Sequence, residues 1–171
     1  ANRRFPRFAP ATVLAATVSA ALGRKGQARR LLERAWELSP HPEFADAYAR
    51  LEDNEEPKAR LKRFEQLERL QPKHALTHVV MAELAMAAGE WKTAKHHLDD
   101  ALERDPTAGV YRLYADFERA SGGGNEKARS WLAKTLDAQP DDCWVCEDSG
   151  EVLPEWQLYG PTGRFDSVQW H

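Results

Sequence analysis

A chain of 171 residues can bury one continuous core, or a short solenoid with a small appended module, and has no room for two large domains. Ala, Leu, Glu, Lys and Arg dominate and β-branched residues are sparse, which points to an all-α class. The formal net charge is near neutral at -3, and no stretch reaches the roughly 18 to 20 uninterrupted apolar residues of a membrane span, so the chain is expected to be soluble.

Residues 1–8 read as an N-terminal extension. The chain begins with Ala1, and Asn2-Arg3-Arg4-Phe5-Pro6 is not followed by the long apolar region of a signal peptide, so a fragment of a longer protein is expected. Charge is unevenly spread. Residues 1–40 carry eight Arg or Lys (Arg3, Arg4, Arg7, Arg24, Lys25, Arg29, Arg30, Arg34) against two Glu, and residues 137–171 carry eight Asp or Glu against one Arg. No aromatic interleaving or nucleic-acid motif accompanies the basic cluster, and the acidic tail would repel phosphates. A solvated helix face is therefore expected, and no nucleic-acid partner.

Four prolines, Pro40, Pro72, Pro106 and Pro140, are spaced 32, 34 and 34 residues apart. This is the period of tetratricopeptide repeats, and other positions keep step with it. Eight residues before each proline stand Leu32, Phe64, Leu98 and Leu132; twelve before stand Ala28, Arg60, Ala94 and Ala128; five before stand Ala35, Leu67, Ala101 and Thr135. The first helices align as Ala15–Gly23, Met81–Gly89 and Tyr114–Gly122, with a small residue at each crossing and a closing Gly that supplies a left-handed backbone. The spacing predicts four repeats of paired helices, about 9–40, 41–72, 73–106 and 107–140, stacked as a right-handed tetratricopeptide superhelix. The second repeat is degenerate. Its turn, Glu52 to Pro57, lacks Gly and Arg60 replaces the small residue, so looser packing is expected there. Trp91, Trp131 and Phe64 are expected in the core.

In such a stack the first helices form the inner wall. The register puts Glu43, Asp46 and Arg50, then Leu76, Val79, Glu83 and Met86, then Arg112, Asp116 and Arg119 on it. An apolar centre flanked by charge suits a peptide or protein partner, with Arg112 and Arg119 pairing acidic groups.

After Pro140 the period ends. Cys146-x-x-Ser149-Gly150 and Tyr159-x-x-Thr162-Gly163 repeat the frame of a rubredoxin-like or zinc-ribbon knuckle pair, but Cys146, Ser149, Tyr159 and Thr162 offer one thiolate where four are needed. Residues 141–171 are therefore expected to form a metal-free β-hairpin ribbon held by Trp144, Trp156, Phe165 and Trp170. Cys143 and Cys146 form Cys-x-x-Cys without the βαβ setting of redox motifs. His74, His78, His96 and His97 are expected at the surface or its boundary, because no Asp or Glu completes a ligand set at a recognised spacing.

The segment Gly23 to Pro42, the run Ala59-Arg60-Leu61-Lys62-Arg63-Phe64, and the tail containing Trp144-Val145-Cys146, Ser149-Gly150, Pro154-Glu155-Trp156 and Thr162 to Asp166 together resemble the C-terminal region of the HemY family of bacterial inner-membrane proteins. That resemblance implies a link to haem biosynthesis, transmembrane helices upstream, and a place on the cytoplasmic face of the inner membrane. It brings no catalytic residues. Three functions are open to such a chain: a non-catalytic protein-interaction scaffold without cofactor, a tetrapyrrole-binding or enzyme-assisting protein using His78 or the Cys pair, and a homo-oligomeric module.

Overall fold

The structure, a computed structural model, describes residues 8–171. The expectations for residues 1–7, Arg3, Arg4 and Arg7 included, lie outside the described residues. The chain divides into two compact units, one ending at Gln139 and the other running from Pro140 to His171.

The first unit is helical: α1 (Ala9–Ala21), α2 (Lys25–Leu38), α3 (Pro42–Ala49), α4 (Pro57–Leu70), α5 (Ala75–Ala87), α6 (Trp91–Arg104), α7 (Ala108–Ala120) and α8 (Asn125–Ala133), the last followed by a 3₁₀ turn at Lys134–Leu136. Among the described residues no helix is long and apolar enough to cross a membrane. Three of the four periodic prolines act as stops, whereas α8 has already ended at Ala133, ahead of Pro140. Helices α2, α4 and α6 end two residues before Pro40, Pro72 and Pro106, because the residue preceding a proline is pushed out of the helical region. Other prolines act as starts: Pro42 and Pro57 are the first residues of α3 and α4, where a missing N–H costs nothing.

Three of the four helix pairs close on the same turn. Gly23, Gly89 and Gly122 have φ of 75°, 71° and 88°, and the amide of the following residue (Arg24, Glu90, Gly123) bonds the carbonyl of Ser19, Ala85 or Glu118. This is the Schellman arrangement, which satisfies carbonyls that the helix end would strand. Small residues then let the paired helices approach closely. Ala16, Ala82 and Ala115 on the first helices and Ala28, Ala94 and Ala128 on the second are all buried. Leu32, Phe64 and Leu98 fill the space beside them, with Ala35, Leu67 and Ala101. In the last pair Leu132 and Thr135 are only half-buried, as α8 gives way to the 3₁₀ turn.

The second pair departs from this plan, as its residues suggest. Helix α3 leans on α1 and α2, whereas α4 packs on α2 and α5, and α3 and α4 are less closely apposed than the members of the other pairs. No Gly closes α3. Instead the nearly buried Arg63 guanidinium reaches back from α4 and donates to the carbonyls of Tyr48 (2.8 Å) and Ala49 (3.4 Å). Glu55 neutralises it through bonds of 2.6 to 3.0 Å, and the Tyr48 ring lies 4.8 Å beneath the cation. Arg63 thus supplies the cap that glycine geometry supplies elsewhere.

Two aromatic expectations are corrected. Trp91 is 38% exposed and touches Phe117 edge-on, because the first residue of α6 faces outward at the turn. Trp131 is half-buried rather than core; it stacks 4.2 Å from Tyr114 under the Lys134 ammonium at 4.0 Å.

The second unit is a small antiparallel sheet, as the expected β-hairpin ribbon required, and it has three strands. Strands β1 (Trp144–Cys146), β2 (Val152–Leu153) and β3 (Val168–Trp170) lie in the order β2-β1-β3. Trp144 sits opposite Leu153 and Trp170, and Cys146 opposite Val168. Trp144, Cys146, Leu153 and Val168 form its core, with Trp156 and Trp170 packed against it. Phe165 does not join them. It is 60% exposed and pairs with Tyr159 across an isolated bridge, which corrects its expected core role.

Two substitutions probe these contacts. Ala94→Leu forces a branched side chain into a closed helix crossing and should cost about 2–3 kcal/mol. Arg63→Met removes the main partner of the half-buried Glu55 and one donor from each of the Tyr48 and Ala49 carbonyls, and should cost about 3 kcal/mol. Both are read as lowered midpoints in urea unfolding followed by circular dichroism, with Arg30→Ala, on an exposed face, as the unshifted control.

Candidate functional site

Three features of the chain carry candidate chemistry: the face of the first helices, the ribbon and a histidine cluster. The first helices of successive pairs are neighbours, α3 against α1 and α7 against α5. On this face Asp46, Arg50, Glu83, Arg112, Asp116 and Arg119 are exposed and Glu43, Leu76, Val79 and Met86 are half-buried. The apolar members are partly committed to the fold: Leu76 packs on the first core cluster, Val79 and Met86 on the second. Crowding by surrounding protein raises the Glu83 carboxyl above its usual range, and the Asp46 carboxylate adds to the effect. Arg50 borders an apolar recess of about 280 Å³ between α1 and α3, walled by Val13, Ala16, Thr17 and Ala20. On α7, Arg119 is ion-paired with Asp116, three residues before it, and both side chains are exposed.

In the ribbon the four knuckle positions do separate work. Cys146 is fully buried, and hydrogen bonds from Ser149, more weakly from Asp148 and Ser167, hold its thiol down to about 7. Its sulfur lies 3.8 Å from the Ser167 hydroxyl. Thr162 donates to Asp148 at 3.0 Å, and Arg164 pairs with the same carboxylate. Tyr159 is exposed against Phe165. A Cβ at Gly160 would fall 2.3 Å from the Ser167 hydroxyl and 3.0 Å from the Cys146 sulfur, so only glycine fits beside this buried polar pair. Both cysteines are unbridged.

The histidines overturn their surface assignment in part. His78 on α5 and His97 on α6 are buried, while His74 and His96 are exposed. His74 and His41 cap helices, each ring Nδ1 accepting from the amide two residues on. The Nδ1 atoms of His78 and His97 stand 3.1 Å apart, and Nε2 of His78 lies 3.1 Å from the Pro72 carbonyl. Asp100, one helical turn beyond His97, brings Oδ2 to 3.7 Å from His78 Nδ1 and 3.5 Å from His96 Nε2, while its Oδ1 takes a bond from Arg104 at 3.2 Å. A carboxylate thus does complete the set, contrary to the sequence reading. Its available signal was His97-x-x-Asp100, whose three-residue spacing shares a helix face. The partner on α5, 19 residues from His97, is brought in only by the pairing of two helices.

No family profile matches the chain. It is 33% identical over 150 residues to the probable magnetosome protein Mms48 of Magnetospirillum gryphiswaldense, an alignment covering 86% of this chain and 33% of that relative. The chain spans about a third of the length of the curated relative it matches.

Burial sets the charge of the inner histidines. It pushes His97 down to about 4, aided by His78 and His96, and pushes His41 down to about 4; it also lowers His78, against the opposing pull of Asp100. A histidine held below its unfolded value near 6.5 has no effect on stability above that pH, where neither state is protonated. Below it the unfolded chain takes up protons that the folded chain refuses. Stability should therefore fall between pH about 6.5 and about 4, on the order of 2–3 kcal/mol for each of His97 and His41. Urea unfolding at pH 7, 5.5 and 4.5 measures the slope, which should flatten in His41→Asn; equal slopes in both proteins would contradict it.

Proposed function

We propose that the helical unit is a tetratricopeptide-type array, a right-handed superhelix of four pairs, and that it acts as a non-catalytic scaffold binding a partner protein or peptide on its inner face. One observation carries this reading: first helices of successive pairs lie side by side, α3 against α1 and α7 against α5, and the charged residues Asp46, Arg50, Arg112 and Asp116 on them are exposed. The 32- and 34-residue period and the repeated glycine turns support the same assignment. Arg112 at one end of this face and the acidic Asp46 and Glu83 toward the other favour a ligand with charge of both signs. Leu76, Val79 and Met86 supply partial apolar contact. No cofactor is required by this role, and the ribbon serves as a metal-free terminal module.

The resemblance to the HemY family supports a membrane-anchored parent protein with this part on the cytoplasmic face of the inner membrane, linked to haem biosynthesis. The name of the matched relative points instead to a magnetosome, and a scaffold that gathers partners is compatible with either setting. A homo-oligomeric role draws on a separate feature: Leu14, Val18 and Leu22 recur every four residues along α1 and its cap and are 64%, 50% and 63% exposed. Direct ligation of a tetrapyrrole by His78 is disfavoured, since the ring is buried between α5 and α6 and leaves no open face for a macrocycle.

Affinity purification from membranes, with the wild-type chain and with Arg112→Glu/Arg119→Glu as baits, tests the scaffold. The expected result is loss of at least one stoichiometric partner from the variant. Identical recovery by both baits would remove the inner face from the reading.

A further inference from the structure

We infer that His78, His97 and Asp100 form a binding site for a borderline-soft divalent cation of the Zn²⁺ class, built across the α5–α6 pair. The geometry comes first. With Zn–N near 2.0–2.1 Å, two nitrogens on one ion lie about 3.3 Å apart in a tetrahedron and about 2.9 Å in an octahedron. The Nδ1 atoms of His78 and His97 are 3.1 Å apart, and all three ligand atoms lie within 4.8 Å of one another. Asp100 Oδ2 lies 3.7 Å from His78 Nδ1, a few tenths of an ångström beyond the tetrahedral spacing of two ligand atoms.

Protons are arranged to suit. The Pro72 carbonyl can only accept, so Nε2 of His78 carries the ring hydrogen and Nδ1 presents its lone pair toward His97. That is the backbone contact by which metal-ligating histidines are oriented. Without metal, Nδ1–H of His97 donates to this lone pair. With metal, the His97 proton moves to Nε2 through exchange with water, so both rings stay neutral and the ion takes the hydrogen's place between them. Arg104 holds Oδ1 of Asp100 and leaves Oδ2 turned to the rings.

Access is present. The Asp100 side chain is 23% exposed, His96 stands at its rim with Nε2 3.5 Å from Oδ2, and His97 also borders a surface cavity of about 340 Å³ whose wall includes Glu65, Glu68 and Thr93. Two imidazoles and one carboxylate leave a fourth position for water or His96, and the nitrogen-rich set selects Zn²⁺, Co²⁺ or Cu²⁺ over Mg²⁺ or Ca²⁺. The site is independent of whatever lies on the inner face of the array.

The test is titration of the chelator-treated chain with Zn²⁺ by calorimetry and with Co²⁺ by visible absorption. One ion per chain is expected, with Kd of about 10 μM or tighter, nitrogen and oxygen ligation in the Co²⁺ spectrum, and no uptake of Mg²⁺. Asp100→Asn and His97→Gln should each weaken Zn²⁺ binding at least tenfold with unchanged far-ultraviolet circular dichroism, and Cys143→Ser/Cys146→Ser should leave it unchanged. Should His97→Gln fail to fold, Asp100→Asn decides, because that side chain is partly open to solvent. No binding by the wild type, equal affinity in Asp100→Asn, or a thiolate-to-cobalt charge-transfer band lost in the cysteine variant would each overturn the assignment.

Discussion

Everything in the helical unit depends on the distance of closest approach between paired helices, which small side chains set. Where Ala16 meets its partner helix bearing Ala28, and where the same is true of Ala82 with Ala94 and Ala115 with Ala128, two backbones come near enough for larger residues on either side to interlock. Leu32, Leu98 and their equivalents then fill fixed spaces rather than making them. The glycine turns serve this constraint, since a left-handed residue reverses the chain within three or four residues and returns the second helix alongside the first.

In the second pair the constraint is relaxed. Arg60 stands where the others carry Ala, and no glycine closes α3. The pair opens, and a charged network occupies the gap: Arg63 with Glu55, the Tyr48 and Ala49 carbonyls, and the Tyr48 ring, whose hydroxyl donates to Glu33 at 3.0 Å. A buried guanidinium is favourable only because each of its donors finds an acceptor. One helix end is thereby capped by a side chain from another helix, which ties α3 to α4 by polar contacts instead of close packing.

The third pair puts close approach to a different use. Because α5 and α6 are held tightly by Ala82, Ala85, Ala94 and Ala101, two imidazoles from different helices are forced within hydrogen-bond distance in the interior. Polar groups in such a place must satisfy one another, and they do so through a chain running from the Pro72 carbonyl through both rings, beside the Asp100–Arg104 pair. The ribbon solves a related problem with different means. Where a knuckle pair offers a single thiol, Ser149 and Ser167 supply hydrogen bonds to the buried Cys146 sulfur, and Gly160 leaves the room they need.

Local chemistry was enough to determine where α2, α4 and α6 stop, where the glycine turns fall and which small residues face the interior of the first, third and fourth pairs. Prolines, left-handed glycines and 34-residue periodicity act through the backbone of their own neighbourhood and need no knowledge of the rest of the chain. Exposure of Trp91 and Phe165, the third strand of the ribbon, the capping role of Arg63 and the meeting of His78 with His97 and Asp100 were decided only by tertiary structure. Each depends on which surfaces come together between elements distant in sequence. A residue's type limits what it can do there, and its neighbours in space settle what it does.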